Sequence, residues 1–185
     1  MSILEIRKAL HAARTPWYAK HHQGSGFYGL YLKCDHTMDA IDVPLDGLLY
    51  IGMTNAGFSH RDHFYPKSRH SGYCTARRSI GALMRERLKL LPRPRSNRAD
   101  AMQSNHFRFD PRSEARLSDW MAGAIHVARV PFDGNVEAAE NLLITHLTPP
   151  LNLTGWANPQ AGFIKAQRHA CALAAFEYAQ QKMVA

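Results

Sequence analysis

Apolar positions recur at helical spacing over residues 3–14 (ILEIRKALHAAR), where Ile3, Ile6, Leu10 and Ala13 share one side. Thr15-Pro16 breaks that pattern, and the glycine-rich QGSG at 23–26 follows. Two runs of β-type residues come next, Phe27–Lys33 and Leu48–Thr54, and the stretch joining them carries the turn signals Pro44 and Asp46-Gly47. They predict an antiparallel pair of strands. A helical pattern returns in TARRSIGALMRERLKLL, with Thr75 as its N-cap and Pro92 as its stop. Ile80, Leu83, Met84, Leu88 and Leu91 form its apolar face, while Arg78, Arg85 and Lys89 stack opposite. The segment up to Arg116 is polar and poorly patterned, and Ala124–Val130 reads as a third strand ended by Pro131. Asp133 or Asn135 caps a helix running to His146 or Leu147, where Thr148-Pro149-Pro150 stops it. Asn158-Pro159 opens a C-terminal helix through Lys182. No repeat, low-complexity tract or linker divides the chain, so residues 1–185 are expected to form a single α+β domain.

Two faces stand out. Period two places Leu30, Leu32, Leu49, Ile51 and Met53 on one aliphatic face of the strand pair, leaving Gly29, Tyr31, Tyr50 and Gly52 on the other. Tyrosine is a good strand former and packs well, but a glycine beside each phenol points to close approach by a ligand or another backbone. In the helix after Asn135, Val136, Ala139, Leu143, Ile144 and Leu147 define the buried stripe, and Glu140 falls within it. A carboxylate there is costly unless it is paired or holds a cation, so a salt bridge to an arginine stands beside a metal or catalytic role.

Composition narrows the class. A chain of 185 residues with 45% hydrophobic and 21% charged content excludes disorder, collagen and coiled coil. Cys34, Cys74 and Cys171 are odd in number and widely spaced, so free thiols are expected. No apolar run approaches the roughly 20 residues of a membrane span, and Met1 to Arg14 has no secretory apolar stretch; a cytoplasmic protein that does not engage membrane is expected. The net charge is +8, and the segment from Arg77 to Arg98 holds eight basic side chains and one acid, Glu86. A positive stripe of this kind attracts nucleic acid through its phosphates, with Arg77, Arg78, Arg85, Lys89, Arg93 and Arg95 as the candidate contacts. A merely solvated basic face and a helix on anionic lipid are the alternatives. His60, His63, His70 and Cys74 have a spacing that could bind zinc, or they form a histidine-rich loop in which His63 carries protons near a site.

Gly29-Leu30-Tyr31, then Tyr50-Ile51-Gly52, then Glu140 upstream of Asn152 in ENLLITHLTPPLN, resemble the GIY-YIG nucleases. The resemblance covers about 27–152 and leaves out the helices at 3–14 and 159–182. It implies a small central three-stranded antiparallel sheet flanked by helices, and hydrolysis of a nucleic-acid phosphodiester with one divalent metal ion. In such enzymes an arginine follows the second tyrosine, with a histidine or tyrosine four residues further on; Arg61 and Tyr65 match here. Met53 replaces the usual basic residue after the second tripeptide, and Pro66 limits a helix from Arg61. Arg77, bordering an apolar stripe, is the rival arginine.

By that family's logic, Glu140 holds one Mg²⁺ or Mn²⁺ and Tyr31 or Tyr50 activates water. A free phenol has a pKa of about 10, so this requires nearby cations such as Arg61. Asn152 fixes a backbone or substrate contact near the metal, or is simply a turn residue. The expected function is a metal-dependent endonuclease acting on DNA in preference to RNA. A catalytically silent nucleic-acid-binding module and a protein-interaction domain are the alternatives. Cutting both strands of a duplex needs two sites or two visits, which leaves room for a homodimer or for a partner protein supplying specificity.

Overall fold

The computed structural model describes residues 2–17, 24–38, 40–58, 70–95 and 107–184. In chain order its elements are α1 (Ile3–Ala12), β1 (Arg14–Pro16), β2 (Gly26–Leu32), β3 (Leu48–Thr54), α2 (Thr75–Leu83), β4 (Pro92–Pro94), β5 (Phe107–Phe109), α3 (Pro111–Ala124), β6 (Ile125–Pro131), α4 (Val136–Leu147) and α5 (Ala161–Val184). The chain packs into two compact units, residues 1–62 with 121–159, and residues 63–120 with 160–185. None of the described helices is long and apolar enough to cross a membrane.

The first unit is an antiparallel sheet in the order β1-β6-β2-β3. The three strands predicted from the sequence form its body, and Arg14–Pro16 adds a short edge strand beside β6. Strand β2 lies between β6 and β3, and all seven of its residues are buried. The main core gathers Phe27, Tyr31, Ile51, Ala128 and Val130 of the sheet with Ile6 and Leu10 of α1 and Val136, Leu143 and Ile144 of α4. Helix α1 starts on a capping box in which the Ser2 hydroxyl accepts the Glu5 N–H and the Glu5 carboxylate accepts the Ser2 N–H. Helix α4 starts at Asn135, whose side chain accepts the Ala138 N–H, as the sequence suggested. Gly26 opens β2 at φ +154°, where a Cβ would lie 2.2 Å from the Val130 carbonyl oxygen. No other residue fits that contact.

The register corrects the expected faces. Leu30 pairs with Tyr50 and Gly29 with Ile51, and a bulge follows before Tyr31 meets Leu48. Paired residues share a face, so Tyr31 and Gly29 lie with Ile51 toward the core, while Tyr50 lies with Leu30. Alternation within β2 is as expected, but its phase against β3 is shifted by one residue, which moves its side chains to the other side, and the bulge brings Leu48 to the core together with Ile51.

The second unit differs more from expectation. Helix α2 is shorter than its apolar pattern suggested: Met84 caps it, and a turn runs on to Lys89, which has φ +49°. Its N-cap is Cys74 rather than Thr75, with the Sγ accepting the Arg77 N–H at 3.4 Å. Helix α3 occupies a segment read as unpatterned. Asp110 caps it by accepting the Ser113 N–H at 2.7 Å, and Pro111 takes the first helical position. Glu114 is 1% exposed and sits one turn ahead of the buried Leu117 and two turns ahead of the buried Met121, so a charged residue occupies the stripe where an apolar one was sought. Its carboxylate accepts from Arg77 Nε (2.7 Å), from the Ser71 N–H (3.0 Å) and hydroxyl (2.5 Å), and from the Phe109 N–H (3.1 Å). Helix α5 packs against α2, β4 and β5.

Candidate functional site

Tyr50 is half-buried on β3, and its ring lies 6.1 Å from that of Tyr28 on β2, tilted by 36°. The tyrosine beside Tyr50 is therefore Tyr28 and not Tyr31. Gly52 makes this possible: Tyr28 and Gly52 are cross-strand partners, and a Cβ on Gly52 would lie 2.3 Å from both Cζ and Oη of Tyr28. The glycine is there because a phenol crosses it. On its other side Tyr28 pairs with Arg129 of β6, so a guanidinium, a phenol and a glycine form one row across the sheet. The Arg129 side chain also reaches the Trp17 carbonyl at 3.5 Å.

Tyr31 has a different setting. It is 2% exposed in the main core, and the Arg14 guanidinium lies 4.0 Å over its ring. Burial pushes the Tyr31 phenol up to about 12, with Arg14 opposing only in part. Such a group keeps its proton where a water-activating phenolate would be needed.

Asn152 acts on the second tripeptide itself. Its Oδ1 accepts the Ile51 N–H and its Nδ2 donates to the Ile51 carbonyl, both at 2.9 Å. The turn that carries it is fixed by Trp156 Nε1, which donates to the carbonyls of Pro149 and Asn152, and by Asn158 Nδ2, which donates to those of Pro150 and Asn152. Leu151 N–H donates to the Leu49 carbonyl, so the segment 149–152 closes the outer edge of β3.

Glu140 is half-exposed on α4, outside the fully buried set Val136, Leu143 and Ile144. The steep burial cost expected for it does not arise, because water reaches the side chain. A single accessible carboxylate suits a hard cation that keeps most of its water, and among the described residues no cluster of three or more His, Cys, Asp or Glu could hold a metal.

Arg61, His63 and Tyr65 lie outside the described residues, as does His60. The rival Arg77 is 0% exposed and committed to Glu114, to whose carbonyl its Nη2 also donates at 2.6 Å. Arg78 is not on an outer face either. It is 4% exposed, donates to the carbonyls of Ser71 (2.9 Å) and Gly72 (2.6 Å), and burial with Arg168 and Arg95 nearby pulls its pKa down to about 10. Lys89 is exposed and Arg85 partly so, while Arg93 and Arg95 stack on Tyr178 and Tyr73 at 3.6 and 4.3 Å. Of the proposed zinc set, His70 Nδ1 accepts the Gly72 N–H, and burial pushes the Cys74 thiol up, away from the thiolate that zinc needs.

The sequence reading missed Tyr28 and Arg129. The signal for Tyr28 was present: Gly26-Phe27-Tyr28 has the same glycine-x-tyrosine form as Gly29-Leu30-Tyr31. Only the first of these glycines stands at positive φ against a neighbouring backbone. No curated protein and no solved structure matches the chain. The sequence profile of the GIY-YIG catalytic domain does match, over residues 28–169, a span that opens on Tyr28 and takes in Tyr50, Glu140 and Asn152. With its antiparallel sheet, paired tyrosines and closing Asn152, the chain belongs to the GIY-YIG family, whose nucleases act on nucleic acid and generally use divalent metal ions.

Proposed function

We propose that this chain is an endonuclease that hydrolyses phosphodiester bonds of DNA, using one Mg²⁺ or Mn²⁺ held by Glu140. The observation that supports this best is the Tyr28–Tyr50 pair, laid across Gly52 on the two strands that carry the family's tyrosine tripeptides. In this reading Gly26-Phe27-Tyr28 is the first tripeptide, and Tyr28 takes the part first expected of Tyr31.

Tyr50, the more exposed of the two phenols, orients the attacking water and draws off its proton. Tyr28 fixes the position of Tyr50, and Arg129 in the same row favours negative charge on the phenols. Arg61 is the arginine proposed to brace the scissile phosphate by paired donors. The water oxygen forms the new bond to phosphorus while the bond to the departing sugar oxygen breaks, and that oxygen takes up a proton. A divalent ion at Glu140 would supply charge neutralisation on the phosphate and on the leaving oxygen. Arg85, Lys89, Arg93 and Arg95 are the proposed contacts to flanking phosphates, and they make binding salt-dependent.

The test incubates the purified protein, Glu140→Gln and Tyr50→Phe with labelled duplex, single-stranded and branched DNA and with RNA. Mg²⁺, Mn²⁺ or chelator is present at low salt. Metal-dependent cutting of DNA by the parent alone is the expected result. Salt-dependent binding without cutting by any of the three overturns the nuclease reading in favour of a silent binding module.

A further inference from the structure

The first unit holds a cavity of about 700 Å³ between the end of α1, the turn after β2 and the loop leading into β3. Its lining includes the cations Arg14 and Lys33 and the apolar Pro44 and Leu45. The two carboxylates that also line it are already engaged. Asp35 meets His36 Nδ1 at 2.8 Å, and Asp46 accepts the Leu48 N–H at 3.1 Å and lies 3.6 Å from Arg7. Among the described residues, neither Lys33 nor Arg14 forms an ion pair with them. Arg14 Nε and Nη2 are buried without a hydrogen-bond partner among those residues. Stacking on Tyr31 holds that guanidinium in place.

We infer that this cavity binds a nucleoside phosphate, with the phosphate against Lys33 and Arg14 and the base against Pro44 and Leu45. Its volume falls in the range of small-molecule sites, roughly 300–1,000 Å³. Cationic and apolar side chains within one lining suit the two halves of a nucleotide. The fully exposed Leu45 at the rim has apolar surface for a base to cover. His126, in the same lining, has its pKa lowered by burial first and then by Lys33 and Arg14, with Asp35 opposing. The nucleotide is either free or an unpaired nucleotide of a bound strand. The second source rests on the nuclease reading above and the first does not.

The test titrates the protein with 2′-deoxyadenosine 5′-monophosphate and with deoxyadenosine by heteronuclear NMR, for the parent, Lys33→Ala and Leu45→Asp. Thermal unfolding shows that each variant folds. Binding of the nucleotide but not the nucleoside, weakened at least tenfold in both variants, establishes the free-nucleotide source. If the mononucleotide does not bind, the affinity of an oligonucleotide with a single-stranded end is measured in the Glu140→Gln background. A tenfold loss on adding Lys33→Ala then establishes the strand source. No nucleotide binding and no loss of oligonucleotide affinity overturn the proposal. Cleavage is scored separately with the parent protein, so failure of the nuclease reading leaves the mononucleotide result intact.

Discussion

Asn152 and Ile51 are bonded twice, the side-chain amide of one lying against the backbone of the other as a neighbouring strand would. The residue bonded in this way stands between Tyr50 and Gly52, so an α4-following turn sets the position of the tyrosine tripeptide. Asn152→Ala leaves an N–H and a carbonyl without these partners, and it is expected to cost about 2 kcal/mol or more. Asn152→Asp sets a carboxylate oxygen against the Ile51 carbonyl oxygen and buries a charge, so it is expected to cost at least as much. Both should lower the cleavage rate by about a hundredfold through misplacement of Tyr50. Urea unfolding and single-turnover cleavage check the two effects.

Gly52→Ala tests whether the phenols work as a pair. The new methyl would overlap the Tyr28 ring, so the ring must move. A loss of about 1–3 kcal/mol is expected, together with a fall in activity. In a Tyr28→Ala background, itself destabilised by the lost ring, Gly52→Ala should add no further cost and activity should stay low, a coupling that a double-mutant cycle measures.

Tyr31 is expected to behave as a core residue. Because burial raises its phenol from 10.0 to about 12, the folded state keeps a proton that the unfolded state loses in that interval. Stability should be insensitive to this group below pH 10, fall as pH rises toward 12 and level off above it. Tyr31→Phe should remove that slope and leave cleavage close to the parent, whereas Tyr50→Phe should not. Unfolding as a function of alkaline pH, with cleavage assays at neutral pH, tests both.

The Arg77–Glu114 pair predicts a strong context effect. Both side chains are essentially inaccessible; Arg77 donates to the Glu114 carboxylate and carbonyl, and that carboxylate also accepts from Ser71 and from the Phe109 N–H. Glu114→Ala should cost about 3–5 kcal/mol by stranding Arg77. The double replacement Arg77→Met with Glu114→Leu should cost less than that single change. Denaturant unfolding of the three proteins measures the difference.

The sequence revealed the periods of the elements better than their phases. The strands at 27–33, 48–54 and 124–130, the span of α1 and the cap of α4 follow from local chemistry, and they match the elements within a few residues. The pairing of Tyr50 with Leu30 depends on a bulge and on a long connection that no local pattern specifies. Tyr28 and Tyr31, three residues apart, point to opposite faces, and the local pattern does not say which face carries Tyr50, since each stands two places after a glycine. Helix α3 escaped notice because Glu114 interrupts its apolar stripe; Arg78 looked solvated because its partners are backbone carbonyls, and Arg77, read as bordering the apolar stripe, had no visible partner because Glu114 lies far along the chain. In each case a polar group was buried with its partner, which an alternation of apolar and polar residues does not register.

The bond between Ile51 and Asn152 spans 101 residues of chain, and β2 takes one of its neighbours, β6, from that same distant part. During synthesis the hairpin of β2 and β3 leaves the ribosome well before the strand and the turn that complete it. Until then one side of β2 and the outer edge of β3 lack the backbone partners they have in the finished fold. Such long-range closure slows folding. The Tyr28–Tyr50 pair therefore gains its full surroundings only after the segment through Asn152 has been made, and on the nuclease reading proposed above a chain released short of that segment is expected not to cut.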